Sequence, residues 1–165
     1  MKTVSYGALI GLGLAIVVML LDWLFPPGSI SFVVAETLGY TSMVVFTALV
    51  ILILRARRNE TPRWGFGIAL REAWAAMLVI SLVFGVSLFV YWQFLQPESL
   101  LRLYEYYQQT LQAVGDESAA AQLADMERNR EHYLNPAFQA GVMAATVLAV
   151  GLFVGALCAY LTRRS

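Results

Sequence analysis

The sequence predicts an all-α integral membrane protein, a bundle of four transmembrane helices with an extracytoplasmic amphipathic helical hairpin between helices 3 and 4. Three observations predict this fold class. Four long stretches contain no acidic or basic side chain, most basic residues fall on one side of those stretches, and the long polar segment has a helical pattern. Hydrophobic residues make up 59% of the 165 residues and charged residues only 13%, whereas soluble domains carry about 25%.

The charge-free stretches define the transmembrane helices. They are Val4–Leu21, Thr37–Leu54, Ala73–Gln96 and Leu134–Thr162. A bilayer core about 30 Å thick needs roughly 20 apolar residues in a helix to cross it. We therefore expect one membrane domain over residues 1–165, with spans near residues 4–25, 33–54, 66–96 and 136–162. We expect the first span to be a retained helix, because its apolar run is too long for a signal peptide.

The basic residues predict the orientation of these spans. Eight of the eleven lie on one side of the predicted bundle: Lys2, Arg55, Arg57, Arg58, Arg63, Arg71, Arg163 and Arg164. Because basic segments resist translocation, we expect this side and both termini to be cytoplasmic. The segment Pro97–Tyr133 would then lie outside, where its seven acidic residues and three arginines give a net charge of −4.

This outer segment has the spacing of two short helices. Its apolar and aromatic residues recur at helical intervals: Leu100, Leu103, Tyr104, Tyr107, Leu111 and Val114. Pro97 suits a first helical turn, Gly115 suits a helix end, and Asp116 or Ser118 can cap a second helix. We expect a hairpin over about residues 97–135. Its apolar stripe packs on the bundle, docks a partner or lies on lipid.

Small residues predict where the helices approach each other. Lipid provides no hydrophobic drive between helices, so close contact between small side chains matters. The predicted packing residues are Gly7, Gly11, Gly141, Ala145, Gly151, Gly155 and Ala159. The two ridges on the fourth span predict that it is the packing hub of the bundle. Both ridges serve internal contacts, or one serves a homodimer.

Two carboxylates near the membrane edge form the candidate polar ligand or proton site. Asp22 ends the first span and Glu36 opens the second, and the short loop between them could bring them together. Two close carboxylates would raise the pKa of one of them and could hold a proton or a cation. Alternatively, both are hydrated and mark helix ends.

No other pattern points to chemistry. His132 has no second anchored ligand beside it, so no metal site is predicted. The sequence contains no phosphate-binding glycine loop, no paired-cysteine motif and no zinc-protease motif. We therefore expect no catalytic residue and no cofactor. The basic surface is too small for nucleic-acid binding.

The order of several short motifs resembles a family of small bacterial membrane proteins, the domain of unknown function 4199. These motifs are Gly39-Tyr40-x-x-Met43, Ala69-Leu70-Arg71, Met126-Glu127, Tyr133-x-Asn135-Pro136-x-Phe138 and Val150-Gly151-Leu152. The resemblance covers nearly the whole chain, although Ala149 stands where the family often has proline. It implies four helices in the bacterial inner (cytoplasmic) membrane, and it brings no established activity.

The resulting functional hypothesis is a non-enzymatic inner-membrane protein, a scaffold or accessory subunit that acts through helix packing. Its expected partners are the lipid bilayer and either a second copy of the chain or another membrane protein. The alternative is a small transporter or ligand-binding membrane protein, in which Asp22 and Glu36 line an outward-facing acidic vestibule.

Overall fold

A computed structural model describes residues 2–25, 32–61 and 63–162, without the side chains of residues 32–36, 39, 40, 43 and 47. These residues form helices and no strand, so the predicted all-α class is confirmed. The helices are α1 (Lys2–Leu24), α2 (Phe32–Glu60), α3 (Phe66–Val90), α4 (Ser99–Val114), α5 (Glu117–Arg128), α6 (Arg130–Tyr133) and α7 (Pro136–Thr162). A π-helical turn, Tyr91–Leu95, continues α3.

Three helices in the described residues are long and apolar enough to cross a membrane. They are α1, the continuous helix Phe66–Leu95 and α7. This finding indicates a membrane protein and agrees with three of the predicted spans. The remaining predicted span coincides with α2, whose last turns carry arginines. Its membrane crossing stays a prediction.

Helix α3 occupies the centre of the bundle. Among the described residues it packs extensively against both α1 and α7, while α2 makes smaller contacts with these three helices. The prediction that the fourth span is the packing hub is therefore wrong. The physical reason is that α3 has small buried residues on two faces: Ala76 meets α1, and Ala73 meets α7.

Glycines bring the backbones of α1 and α3 together. A Cβ atom added at Gly7 would lie 3.1 Å from the carbonyl oxygen of Ala76. One added at Gly11 would lie only 2.6 Å from the carbonyl oxygen of Ile80. Gly11 therefore sits where a larger side chain would force the two helices apart.

The two small-residue ridges of α7 have different surroundings. Gly151 and Gly155 face Met77 and Ala73 of α3, and Ala159 is fully buried. Gly141 and Ala145 are exposed, and a Cβ added at Gly141 would meet no described atom within 4 Å. Of the two ridges, the one formed by Gly151, Gly155 and Ala159 therefore packs within the described chain, and the one that contains Gly141 and Ala145 does not.

Polar side chains also connect α3 to α7. Ser81 Oγ donates a hydrogen bond of 2.7 Å to the carbonyl oxygen of Ala144. Trp74 Nε1 donates another, of 3.1 Å, to the carbonyl oxygen of Leu152. These bonds fix the rotation of two helices whose lipid-facing and buried sides are both apolar.

Helices α4 and α5 pack against each other around a tight turn. Gly115 has a φ of +66°, and Asp116 Oδ1 caps α5 by accepting a 2.7 Å hydrogen bond from the Ala119 amide. The ring of Tyr104 lies 6.1 Å from that of Tyr133. Most of this pair of helices is exposed, while Ser99 and Leu100 at the start of α4 are buried. The side of the membrane on which the pair lies stays a prediction.

Candidate functional site

Asp22 joins three elements of the fold at the end of α1. Its Oδ2 accepts a hydrogen bond of 2.7 Å from the hydroxyl of Tyr91 and one of 2.8 Å from the hydroxyl of Ser99. Tyr91 begins the π-helical turn after α3, and Ser99 begins α4. We call Asp22, Tyr91 and Ser99, with Gln96 and Arg102 beside them, the junction.

The chain turns at Gln96 between the π-helical turn and α4, and this turn builds the junction. The Gln96 amide donates a 2.8 Å hydrogen bond to the Tyr91 carbonyl, which closes the π-helical turn. The Ser99 amide then donates to the Gln96 carbonyl over 3.1 Å as α4 begins. Single π-helical turns inside α-helices are frequent at functional sites. Here the turn accompanies the burial of Tyr91 and Trp92.

Arg102 lies one turn further along α4. Its Nη2 donates a 3.2 Å hydrogen bond to Gln96 Oε1. Its Nε is shielded from solvent and has no hydrogen-bond acceptor among the described residues. No described carboxylate lies within 4.0 Å of the Arg102 guanidinium, Asp22 included. The junction therefore contains a cationic group whose donors are not all used by the protein.

The side chain of Glu36, the predicted partner of Asp22, is not among the described side chains. Glu36 belongs to α2, but its side chain falls outside the described residues. The pairing of the two carboxylates remains a prediction. Sequence reasoning did not identify Tyr91 or Ser99 as partners of Asp22. Their positions on either side of the predicted end of span three were the available signal.

A second polar cluster connects the starts of α1 and α3 with the end of α2. Lys2 Nζ and Arg57 Nη1 each lie 2.8 Å from a carboxylate oxygen of Glu60. Glu72 accepts a hydrogen bond from the Thr3 hydroxyl, and its Oε2 lies 3.7 Å from Arg57 Nε. The hydrogen bonds from Lys2 and then Arg57 lower the pKa of the Glu60 carboxyl. This inner cluster connects α1, α2 and α3.

An apolar cavity of about 80 Å³ lies between the four long helices. Its lining includes Ile10, Phe46, Val50, Met77, Val147 and Gly151. Thr146 also lines it, but its hydroxyl donates to the Val142 carbonyl of its own helix. The lining contains no charged side chain, so it offers nothing to balance the charge of an ion.

No group of three or more metal-ligating side chains occurs in the part of the chain that the structure describes. His132 packs its ring against Phe138, with centroids 4.9 Å apart. The buried thiol of Cys158 lies in the apolar core around α3. The junction and the inner cluster are polar sites that connect different helices of the described chain.

The chain matches a known protein family over nearly its whole length. The family described as Protein of unknown function (DUF4199) matches residues 5–164. No curated protein and no solved structure matches the chain.

Proposed function

Because the chain belongs to the DUF4199 family, a family of unknown function, we propose its role from the geometry of the junction. The proposed role is that of a non-enzymatic membrane scaffold or accessory subunit. It holds the α4–α5 pair in a fixed position relative to the membrane-embedded helices, where a second membrane protein contacts it.

This proposal depends on the two hydrogen bonds that the Asp22 carboxylate accepts. Intramembrane and membrane-edge carboxylates are costly and often functional. Here the carboxylate receives hydroxyl donors from the end of α3 and the start of α4. Such bonds hold α4 on the bundle. They also use Oδ2, one of the two carboxylate oxygens at which Asp22 could bind a cation or a proton.

Polar side chains inside the bundle also form hydrogen bonds that hold helices together. Ser81 and Trp74 donate to backbone carbonyls of α7. Trp64 Nε1 donates to the Thr162 carbonyl near the other end of α7. Interhelical hydrogen bonds of this kind are how membrane helices are held in register. This pattern supports a packing role more than transport, the alternative hypothesis, which needs a polar path.

The α4–α5 pair provides the proposed contact surface. A groove between the two helices is lined by Tyr107, Leu111, Met126 and Tyr133. Tyr107 and Val114 are exposed although the sequence pattern places them on the apolar stripe. The net charge of −4 over Pro97–Tyr133 favours a partner whose contacting segment is basic.

We further propose the membrane arrangement for this role. The chain is a multi-pass protein of the bacterial inner membrane, α2 crosses the membrane together with the three apolar helices, and both termini are cytoplasmic. The sequence pattern, in which eight basic residues flank the same side of the predicted spans, supports this orientation. It places the α4–α5 pair on the extracytoplasmic surface.

Photocrosslinking in native membranes tests the proposal. A photoreactive phenylalanine derivative replaces Tyr107 in the groove or, as the control, Phe153, which faces away from the bundle with 80% of its surface exposed. We expect one discrete adduct with a membrane protein from position 107 but not from position 153. A Tyr107→Ala and Leu111→Ala double variant should lose co-purification of the same protein. A strictly monomeric protein that gives no adduct would contradict the proposal.

A further inference from the structure

We propose that Arg102 binds a phosphate group at the junction. The ligand class is a phosphate ester or free phosphate, and Arg102 supplies the guanidinium that recognises it. This inference goes beyond the proposed scaffold role and does not depend on it, since it concerns a ligand at the base of α4 and not a protein partner on the groove.

The first argument is the unused donor capacity of Arg102. Gln96 Oε1 accepts from Nη2 and so fixes the plane of the guanidinium. Nε is buried and has no acceptor among the described residues. Leaving a buried charged donor without an acceptor is unfavourable. An anion with several oxygen atoms, placed along this side of the guanidinium, would remove that penalty.

The second argument concerns Asp22, the nearest conceivable alternative acceptor. Its Oδ2 is already bonded to the Tyr91 and Ser99 hydroxyls. It lies outside ion-pair distance of Arg102, because no described carboxylate lies within 4.0 Å of that side chain. The protein thus holds its carboxylate and its guanidinium apart, each with its own neutral partners. The rigid fork of a guanidinium matches phosphate oxygens in a bidentate geometry.

The third argument is the position of Arg102 relative to the end of an apolar helix. Arg102 lies in the first turn of α4, the next helix after the apolar helix Phe66–Leu95, which is long enough to cross a membrane. Phe94 and Leu95 at its end are mostly exposed, as expected of side chains in contact with acyl chains. The next turns of the chain would lie at the depth of the headgroups, where phosphates are concentrated. Basic pockets beside transmembrane helices bind lipid headgroups in this way.

Native mass spectrometry of the full-length protein tests the site. The protein is released from detergent micelles that contain equal amounts of phosphatidylglycerol and a phosphate-free digalactosyl lipid with identical acyl chains. We expect the wild type to retain phosphatidylglycerol in preference. Arg102→Gln should reduce that preference about tenfold, the effect of losing one charge-assisted interaction. Arg128→Gln is the control, because Arg128 is an exposed arginine on α5 and should leave the preference unchanged.

A second measurement distinguishes free phosphate from the phosphate of a lipid headgroup. In micelles of the digalactosyl lipid alone, millimolar inorganic phosphate should raise the thermal midpoint of the wild type but not of Arg102→Gln if the site takes free phosphate. Retention of phosphatidylglycerol without such a rise identifies a lipid headgroup.

Equal behaviour of wild type and Arg102→Gln in both measurements would overturn the proposal. If Arg102→Gln fails to fold, Arg102→Lys replaces it, because lysine keeps the charge and loses the Nε donor. We expect Arg102→Lys to reduce the preference about threefold. An unchanged preference in that variant would equally overturn the proposal.

Discussion

The hydroxyl of Tyr91 donates a 2.7 Å hydrogen bond to Oδ2 of Asp22, and this bond connects the end of α3 to the end of α1. Ser99 adds a second donor from α4. The Asp22 carboxylate therefore acts as a joint between the long helices and the α4–α5 pair. The stability of this joint can be measured directly.

Tyr91→Phe should destabilise the protein by about 1.5–3 kcal/mol, because it removes one donor from a charged, partly buried acceptor. The measurement is equilibrium unfolding in detergent, followed by tryptophan fluorescence. Tyr6→Phe is the control, since Tyr6 is exposed and should tolerate the change. Equal stability of Tyr91→Phe and wild type would show that the bond contributes nothing to the fold.

Gly11→Ala should destabilise the bundle by about 1–3 kcal/mol through overpacking. The added methyl group would lie 2.6 Å from the Ile80 carbonyl oxygen, and backbone atoms there cannot move without separating α1 from α3. Gly141→Ala is the matched control, because its methyl group would meet no described atom within 4 Å. We expect that variant to be neutral or stabilised by up to about 1 kcal/mol through helix propensity. The reverse order of the two variants in thermal unfolding would contradict the packing of α1 on α3.

Ser81→Ala should cost about 0.6 kcal/mol, a typical value for an interhelical hydrogen bond in a membrane protein. The variant loses the bond from Ser81 Oγ to the Ala144 carbonyl. Thr146→Val is the comparison, because the Thr146 hydroxyl bonds its own helix at Val142 and should contribute less to the contact between helices. Unfolding in mild detergent resolves the difference, and a larger loss in Thr146→Val would argue against the α3–α7 register.

The pH dependence of stability should report the inner cluster. Hydrogen bonds from Lys2 and Arg57 lower the pKa of Glu60 in the folded protein. A carboxyl with a lowered folded-state pKa stabilises the fold above the ordinary pKa of glutamate, and this contribution is lost as the pH falls through the lowered value. Glu60→Gln should therefore have a lower thermal midpoint than wild type at neutral pH, and the gap should close in acid.

Glu127→Gln is the control for this titration, because Glu127 is exposed and has no basic group within 4.0 Å among the described residues. Its midpoint should follow that of the wild type at every pH. A gap between Glu60→Gln and wild type that widens in acid would have the wrong sign for the proposed ion pairs.

Cysteine labelling should establish the orientation of the bundle. In a Cys158→Ala background, Ser118→Cys lies at the start of α5 and Arg63→Cys lies between α2 and α3. A membrane-impermeant maleimide should label Ser118→Cys in cells with a permeabilised outer membrane, and Arg63→Cys only after the inner membrane is opened. Labelling of both positions before opening would mean that the helix Phe66–Leu95, the long helix between them, does not cross the membrane.

Much of the local structure could be predicted from the sequence. The stop at Gly115 and the cap at Asp116 follow from turn and capping preferences, and both occur where expected. The junction could not be predicted in the same way. Tyr91 and Ser99 both reach Asp22 because a π-helical turn and the turn at Gln96 place them at the end of α1. Hydropathy predicts that the third span ends at Gln96, but neither hydropathy nor helical period indicates that the residues on both sides of that end meet Asp22.

The sequence by itself determined the all-α class, the three apolar helices and the family, since helix length, apolar content and motif order are all local properties of the chain. Only the tertiary structure decided that α3 is central, that Gly11 packs while Gly141 does not, and that Asp22 is bonded to Tyr91 and Ser99. The reason is physical. Helices destined for lipid are apolar on every side, so their pattern does not mark the face that meets a neighbour. Close packing of backbones and a few interhelical hydrogen bonds select that face.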